Sequence, residues 1–165
     1  MQNNFKNKKN LKKSAGFMMV EVLVAVSIIT ASVLASMAVA QKSITLSYRS
    51  LHTAQASFLL EEGAEAIRII RDDAWANISS LSTVTDYYLV FSGGTWTLSV
   101  DSSQVGNFTR KINIADVNRD AVSGDISVAG VNDTQTKLIT VLASWPEAGA
   151  IAEKTLSFYI TDIFT

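Results

Sequence analysis

Phe17 to Ala40 reads FMMVEVLVAVSIITASVLASMAVA, twenty-four residues with one charge, Glu21, and neither Gly nor Pro. Wound as a helix it is roughly 36 Å long, enough to cross a hydrocarbon core of about 30 Å. A run of this kind has no polar face to turn toward water, so it predicts a membrane span. Lys6, Lys8, Lys9, Lys12 and Lys13 precede it, and no acid occurs before Glu21. That asymmetry predicts a single-pass chain with its amino terminus in the cytoplasm and the remainder outside.

Two ordinary explanations of such a segment stay open. Ala38-Val39-Ala40 offers a small-x-small cleavage site of the secretory type. The removed piece would then be 40 residues long with Glu21 inside its apolar core, whereas a signal peptide is about 15–30 residues. An unprocessed signal anchor is the other explanation.

A third rests on the residues around the start of the span. A lysine-rich leader ends in Ser14-Ala15-Gly16, followed by Phe17, three uncharged residues, Glu21 and the unbroken apolar helix. This arrangement resembles the amino-terminal processing signal of type IV pilins and pseudopilins. The resemblance implies that a membrane-embedded prepilin peptidase cuts after Gly16 and methylates the new amino group of Phe17. Glu21 would be the fifth mature residue. Met18 and Met19 depart from the family, where Thr or Ser is common early in the helix. A carboxylate inside a span costs about 3 kcal/mol near the centre and less toward an end, so it ordinarily has a partner. The resemblance implies that Glu21 pairs with the cationic amino terminus of a neighbouring subunit and sets the axial register. The milder alternative is a first-turn acid that complements the helix dipole among the headgroups.

Between Gln41 and Trp75 only Gly63 weakens a helix. Ala56, Leu60, Ala64, Ile67, Ile70 and Ala74 recur at steps of three and four, predicting an amphipathic helix packed on a domain. Glu61, Glu62, Glu65, Arg68, Arg71 and Asp72 fall largely on the other faces, with Glu65–Arg68 or Arg68–Asp72 as pairs of opposite sign. Gly63 reads as a tolerated small residue. A continuous helix from Phe17 to Trp75 would be roughly 88 Å long. Leu59 to Trp75, with the pattern E-E-G-x-E-A-I-R-x-I-R-D and then Trp, is similar to a segment of PilV-like minor pilins, the type IV pilus modification proteins.

Beyond Ser80 the period changes from 3.6 to 2. Tyr87–Phe91 and Thr95–Val100 flank Gly93-Gly94 and predict a hairpin. Phe108–Val117, Lys137–Trp145 and Thr155–Phe164 predict further strands, the first interrupted by Arg110 and Lys111. The expected fold is therefore α+β, a long amino-terminal helix packed on an antiparallel meander of four or five strands. Its organisation would be a leader over 1–16, a transmembrane assembly helix over 17–40, an amphipathic continuation over 41–78 and a β-rich head over 79–165. Such an outline fits a pilin.

The composition narrows the chemistry. Five of the 14 basic residues are in the leader, leaving 9 against 15 acidic ones, and an acidic body argues against nucleic acid as a partner. The absence of cysteine removes disulfides and thiolate metal sites, and a single histidine, His52, removes a multi-histidine cluster. His52 reads as a helix-surface residue without a nucleophile beside it, and no motif elevates any serine, so no enzymatic activity and no cofactor is expected. Trp75, Trp96 and Trp145 read as packing residues. Asp116-x-Asn118-x-Asp120 opens like a calcium loop, but Ala121 stands where a Gly is needed and Ser127 where a Glu is needed. Turn chemistry explains the three more cheaply, and they remain only candidate calcium ligands.

These readings lead to a minor pilin or pseudopilin of a type IV pilus-like filament, assembled through its helix. Its implied partners are the peptidase, other pilin subunits, an inner-membrane assembly platform and membrane lipid. Its implied location is the bacterial inner membrane and, after assembly, the cell surface. The alternative is a single-pass anchored module whose head binds a ligand outside any filament, and Glu21 discriminates the two because a plain anchor does not need that acid.

Overall fold

The computed structural model describes residues 14–163, with side chains from Met18 to Ile163. The leader lysines lie outside the described residues, as do the side chains of Gly16 and Phe17. Two units divide the chain, Met1–Tyr48 and Arg49–Thr165. One helix, α1 (Ser14–Asp73), contributes residues to both.

In the first unit α1 is clothed in apolar side chains on every side. From Met18 to Tyr48 its large hydrophobic residues are all 53–69% exposed, with no sheltered phase. A helix apolar all round belongs in a medium that is itself apolar. The four hydroxyls of the Phe17–Ala40 run are already satisfied, since Ser27, Thr30, Ser32 and Ser36 each donate to the carbonyl four residues earlier, Leu23, Val26, Ile28 and Ser32. Among the described residues this is the one helix long and apolar enough to cross a membrane.

The second unit begins where α1 acquires a phase. Ala56, Leu60, Ala64, Ile67 and Ile70 are buried and Ala74 is half-buried, so the expected stripe faces the core. The helix ends at Asp73 rather than continuing through Trp75, and a short turn, α2 (Ala76–Ser79), buries Ile78. Then follow β1 (Tyr87–Ser92), β2 (Thr95–Ser99), β3 (Gln104–Val105), β4 (Phe108–Arg119), β5 (Val131–Glu147) and β6 (Ala150–Thr161). The glycine hairpin joins β1 and β2 as expected, with Phe91 opposite Trp96 and positive φ at Gly93 and Gly94.

The sheet is antiparallel with the order β2-β1-β4-β5-β6, and β3 pairs with β4. It has six strands where four or five were expected, and only β4–β6 form a simple meander, because β1 pairs with β4 rather than with β3. β5 and β6 also begin earlier than their apolar runs suggest. Alternate residues of β4 and β5 point at the helix: Phe108, Arg110, Ile112 and Ile114 on one strand, Ile139, Val141, Ala143 and Trp145 on the next. Burying one such aliphatic side chain stabilises by about 1.5–3 kcal/mol. A bulge between Asp116 and Val117 then reverses the alternation and brings Val117 inward.

Gly63 is more than a tolerated small residue. A Cβ there would lie 2.8 Å from Val141 Cγ1 and 3.3 Å from Arg110 Cδ, so its absence lets the helix backbone approach β4 and β5 closely.

Candidate functional site

In the first unit the one charged residue of the apolar run is Glu21, exposed on α1. Among the described residues no hydrogen bond or ion pair reaches its carboxylate. The four hydroxyls of the same run are bonded internally, so Glu21 is the acid that would need a partner from elsewhere. Ala25, Ala31, Ala35 and Ala38 offer low points where another helix backbone can come near.

In the second unit the helix and the sheet meet around a charge. Arg110 is only 3% exposed, on the apolar face of β4, and is not an interruption of that strand. Its guanidinium pairs with the Glu62 carboxylate, donates to the Leu59 carbonyl at 3.3 Å and lies 5.4 Å from the centroid of the Trp96 ring. Its Nε has no partner among the described residues. Glu62, still half-exposed to water, is therefore also the counter-ion of a buried cation. Glu65 pairs with Arg68, while Arg71 pairs with Asp72, so the Arg68–Asp72 alternative does not form. The period-two series Phe108, Arg110, Ile112, Ile114 carried the signal for Arg110, but its partner is 48 residues away in sequence.

Beside this pair an open groove of about 700 Å³ runs between α1 and the β3–β4 turn. Phe58, Leu59, Val105 and Phe108 make it mostly apolar, and His52, Gln55, Asn107 and the Glu62 carboxylate add polar groups. His52 is not a surface residue: it is half-buried, its ring meets Phe108 edge-on at 6.1 Å, and its buried Nδ1 has no partner among the described residues. The steps His52, Ala56, Leu60 continue the buried stripe by one turn, which is the sequence signal for its position. No Ser, Thr, Lys or Asp is among the residues lining the groove, and the carboxylate that does line it, Glu62, is paired with Arg110. Trp145 is buried and donates from Nε1 to Glu147, while Trp75 and Trp96 are partly buried against the core, as packing residues should be.

The calcium candidates separate. Asp116 is in β4 and pairs with Lys137, which is buried opposite it. Asn118 makes a long 3.5 Å contact with the Val128 carbonyl. Asp120 accepts from the backbone of Val122 at 2.8 Å and Ser123 at 2.9 Å, and these bonds, Ser123's first, hold its carboxyl below the usual carboxylate range. Asp133 is lowered likewise, by the Thr136 hydroxyl and then by Arg119. Among the described residues no group of three or more His, Cys, Asp or Glu side chains is placed to hold a metal. Of the three calcium candidates, only Asp120 builds a turn with its carboxylate.

Comparison of the chain with models of protein families, with curated proteins and with solved structures gave no match.

Proposed function

We propose that this chain is a minor pilin or pseudopilin, a subunit of a type IV pilus-like filament held and assembled through the first part of α1. One observation carries the reading: a helical run apolar on every side bears a single acid, Glu21, the fifth residue counted from Phe17. A lone carboxylate in a low-dielectric medium calls for a cation, and cutting after Gly16 would create one at the amino terminus of each neighbouring copy. The low points at Ala25, Ala31, Ala35 and Ala38 supply the close helix approach that such packing needs. The head, with its buried Arg110–Glu62 pair, is then the part displayed outside the membrane. No catalytic role and no cofactor is included in this proposal.

Mass spectrometry of protein extracted from membranes tests it. The expected mature terminus is Phe17 carrying an N-methyl group. A terminus at Gln41 would establish ordinary secretion, and an intact Met1 would establish a plain anchor; either result overturns the proposal.

A further inference from the structure

Three contacts fix which end of the head the β5–β6 turn occupies. Gly63 of α1 lies against Val141 of β5, Lys154 Nζ donates to the Ser57 hydroxyl at 2.7 Å, and Arg49 pairs with Glu147 at 2.8 Å. Lys154 is the β6 partner of Ala143, so descending α1 from residue 63 to residue 49 follows β5 from 141 to 147. The Ala148-Gly149 turn between β5 and β6 is therefore at the end where α1 enters the head, next to Arg49. Arg49 directly follows Tyr48, the last large apolar residue of the stretch exposed at every phase.

The composition of this tip is unusual for a turn in water. Pro146, Ala148, Gly149, Ala150 and Ile151 are all exposed, and Ile151, 69% exposed, stands opposite Pro146 in the ladder. The one charge among them, Glu147, is satisfied within the head: Oε1 pairs with Arg49 and Oε2 accepts from the Trp145 indole at 3.0 Å. Ala148 has φ 50° and is the one non-glycine with positive φ among the described residues. Two-residue hairpin turns of this kind ordinarily take Asn, Asp or Gly, because a Cβ in the left-handed region is strained. The β1–β2 turn follows that rule with Gly93-Gly94. At the β5–β6 tip a polar residue would relieve the strain and suit water, yet an apolar one stands there.

We propose that the Pro146–Ile151 tip rests on the lipid surface of the membrane that α1 crosses, as a second contact beside the helix itself. The apolar residues that lead to it along α1, Ile44, Leu46 and Tyr48, are exposed, so the tip continues a surface already suited to lipid. Tyr48 and Arg49 are residue types of a membrane interface, an amphipathic ring and a cation on an apolar stem. A tip of Pro, Ala, Gly and Ile, its one acid already paired, enters the headgroup boundary without stranding a charge. So small a surface holds lipid weakly by itself, and α1 supplies the tether that keeps it at the bilayer. The inference needs α1 in a membrane but not its assembly, so it rests only on the part of the functional reading that a plain anchor shares.

The protein has no cysteine, so a single engineered thiol carries an environment-sensitive dye cleanly. Full-length Ala150→Cys is labelled and placed in phosphatidylcholine–phosphatidylglycerol vesicles whose lipids bear a nitroxide near the headgroup. Its dye should be quenched at least about fivefold more than one on Val128→Cys, which is fully exposed beside Asn118 toward the far end of β4. Adding Ala148→Asp, whose side chain tolerates the left-handed backbone and so spares the fold, should reduce that quenching about fivefold. Ala31→Cys, labelled likewise and read with a nitroxide deep in the acyl chains, reports the membrane helix separately. Quenching at Ala31 with equal values at Ala150 and Val128 would overturn the tip contact and leave the proposed function standing. No quenching at Ala31 would overturn the membrane span and the contact together. A dye at Ala150 shielded from water but not quenched by lipid would show protein covering the tip, which also overturns the inference.

Discussion

α1 is written in two manners. From Met18 to Tyr48 large apolar side chains occur at every phase and all are exposed; from Ala56 to Ile70 they fall on one stripe and are buried. The backbone is helical in both, so helix propensity does not separate them. The difference lies in what surrounds each stretch. The first has no protein partner within its own unit, and its four hydroxyls turn back onto carbonyls as those of Thr53 and Ser57 do in the second. The second is shaped by one sheet, and the buried Arg110 guanidinium on that side pairs with Glu62. Apolar content reports the medium, and apolar phase reports the neighbour.

The largest expected effect tests the phased half. Ile67 is fully buried, and Ile67→Asp should destabilise the head by at least ~4 kcal/mol because an unpaired carboxylate enters the core. All three tryptophans, Trp75, Trp96 and Trp145, are in the second unit, so its unfolding in the full chain in detergent can be followed by intrinsic fluorescence. An unchanged melting curve would mean that the stripe is not the packed face.

Next comes the buried cation. Glu62→Ala should cost about 1–2 kcal/mol, since Arg110 is buried while its counter-ion is half-exposed and partly screened, and Glu61→Ala one position away should change stability by less than ~0.5 kcal/mol. Equal effects from the two would show that Arg110 relaxes to solvent and that the pair does not fix helix to sheet. Replacing both partners, Arg110→Met with Glu62→Gln, should recover much of the loss.

The smallest effect on folding belongs to the unphased half. Glu21→Gln and Glu21→Ala should leave head melting, membrane insertion and cleavage at wild-type levels, and should keep the chain out of sheared filaments. Recovery of both variants in filaments at the wild-type amount would reduce Glu21 to a first-turn acid favoured by the helix dipole.

Local patterns were enough for the buried stripe and the Gly93-Gly94 hairpin, because period and turn chemistry are properties of neighbours in sequence. Arg110 was misread because a charge in a strand looks like an interruption until its partner, 48 residues back, is known. The early part of β5, Val131 to Thr136, is polar and declares itself only through its ladder with β4 and β6. Gly63 and His52 were undervalued for the same reason: one is defined by Val141, the other by Phe108. For the candidate site, Glu21 stands out in the sequence by its isolation in an apolar run, whereas the groove depends on which residues the fold leaves uncovered.

The bulge between Asp116 and Val117 has a consequence for how this head can diverge. An uninterrupted ladder transmits register, so one inserted residue exchanges the two faces of everything beyond it. Here the alternation is broken and restarted at Val117, past the last helix-facing isoleucine of β4. Upstream, the strand is committed to the helix; downstream, its counting begins afresh. Changes of length in the Asp120–Gly130 loop can therefore accumulate without propagating a frame error into the core, and the two ends of one strand are free to evolve at different speeds.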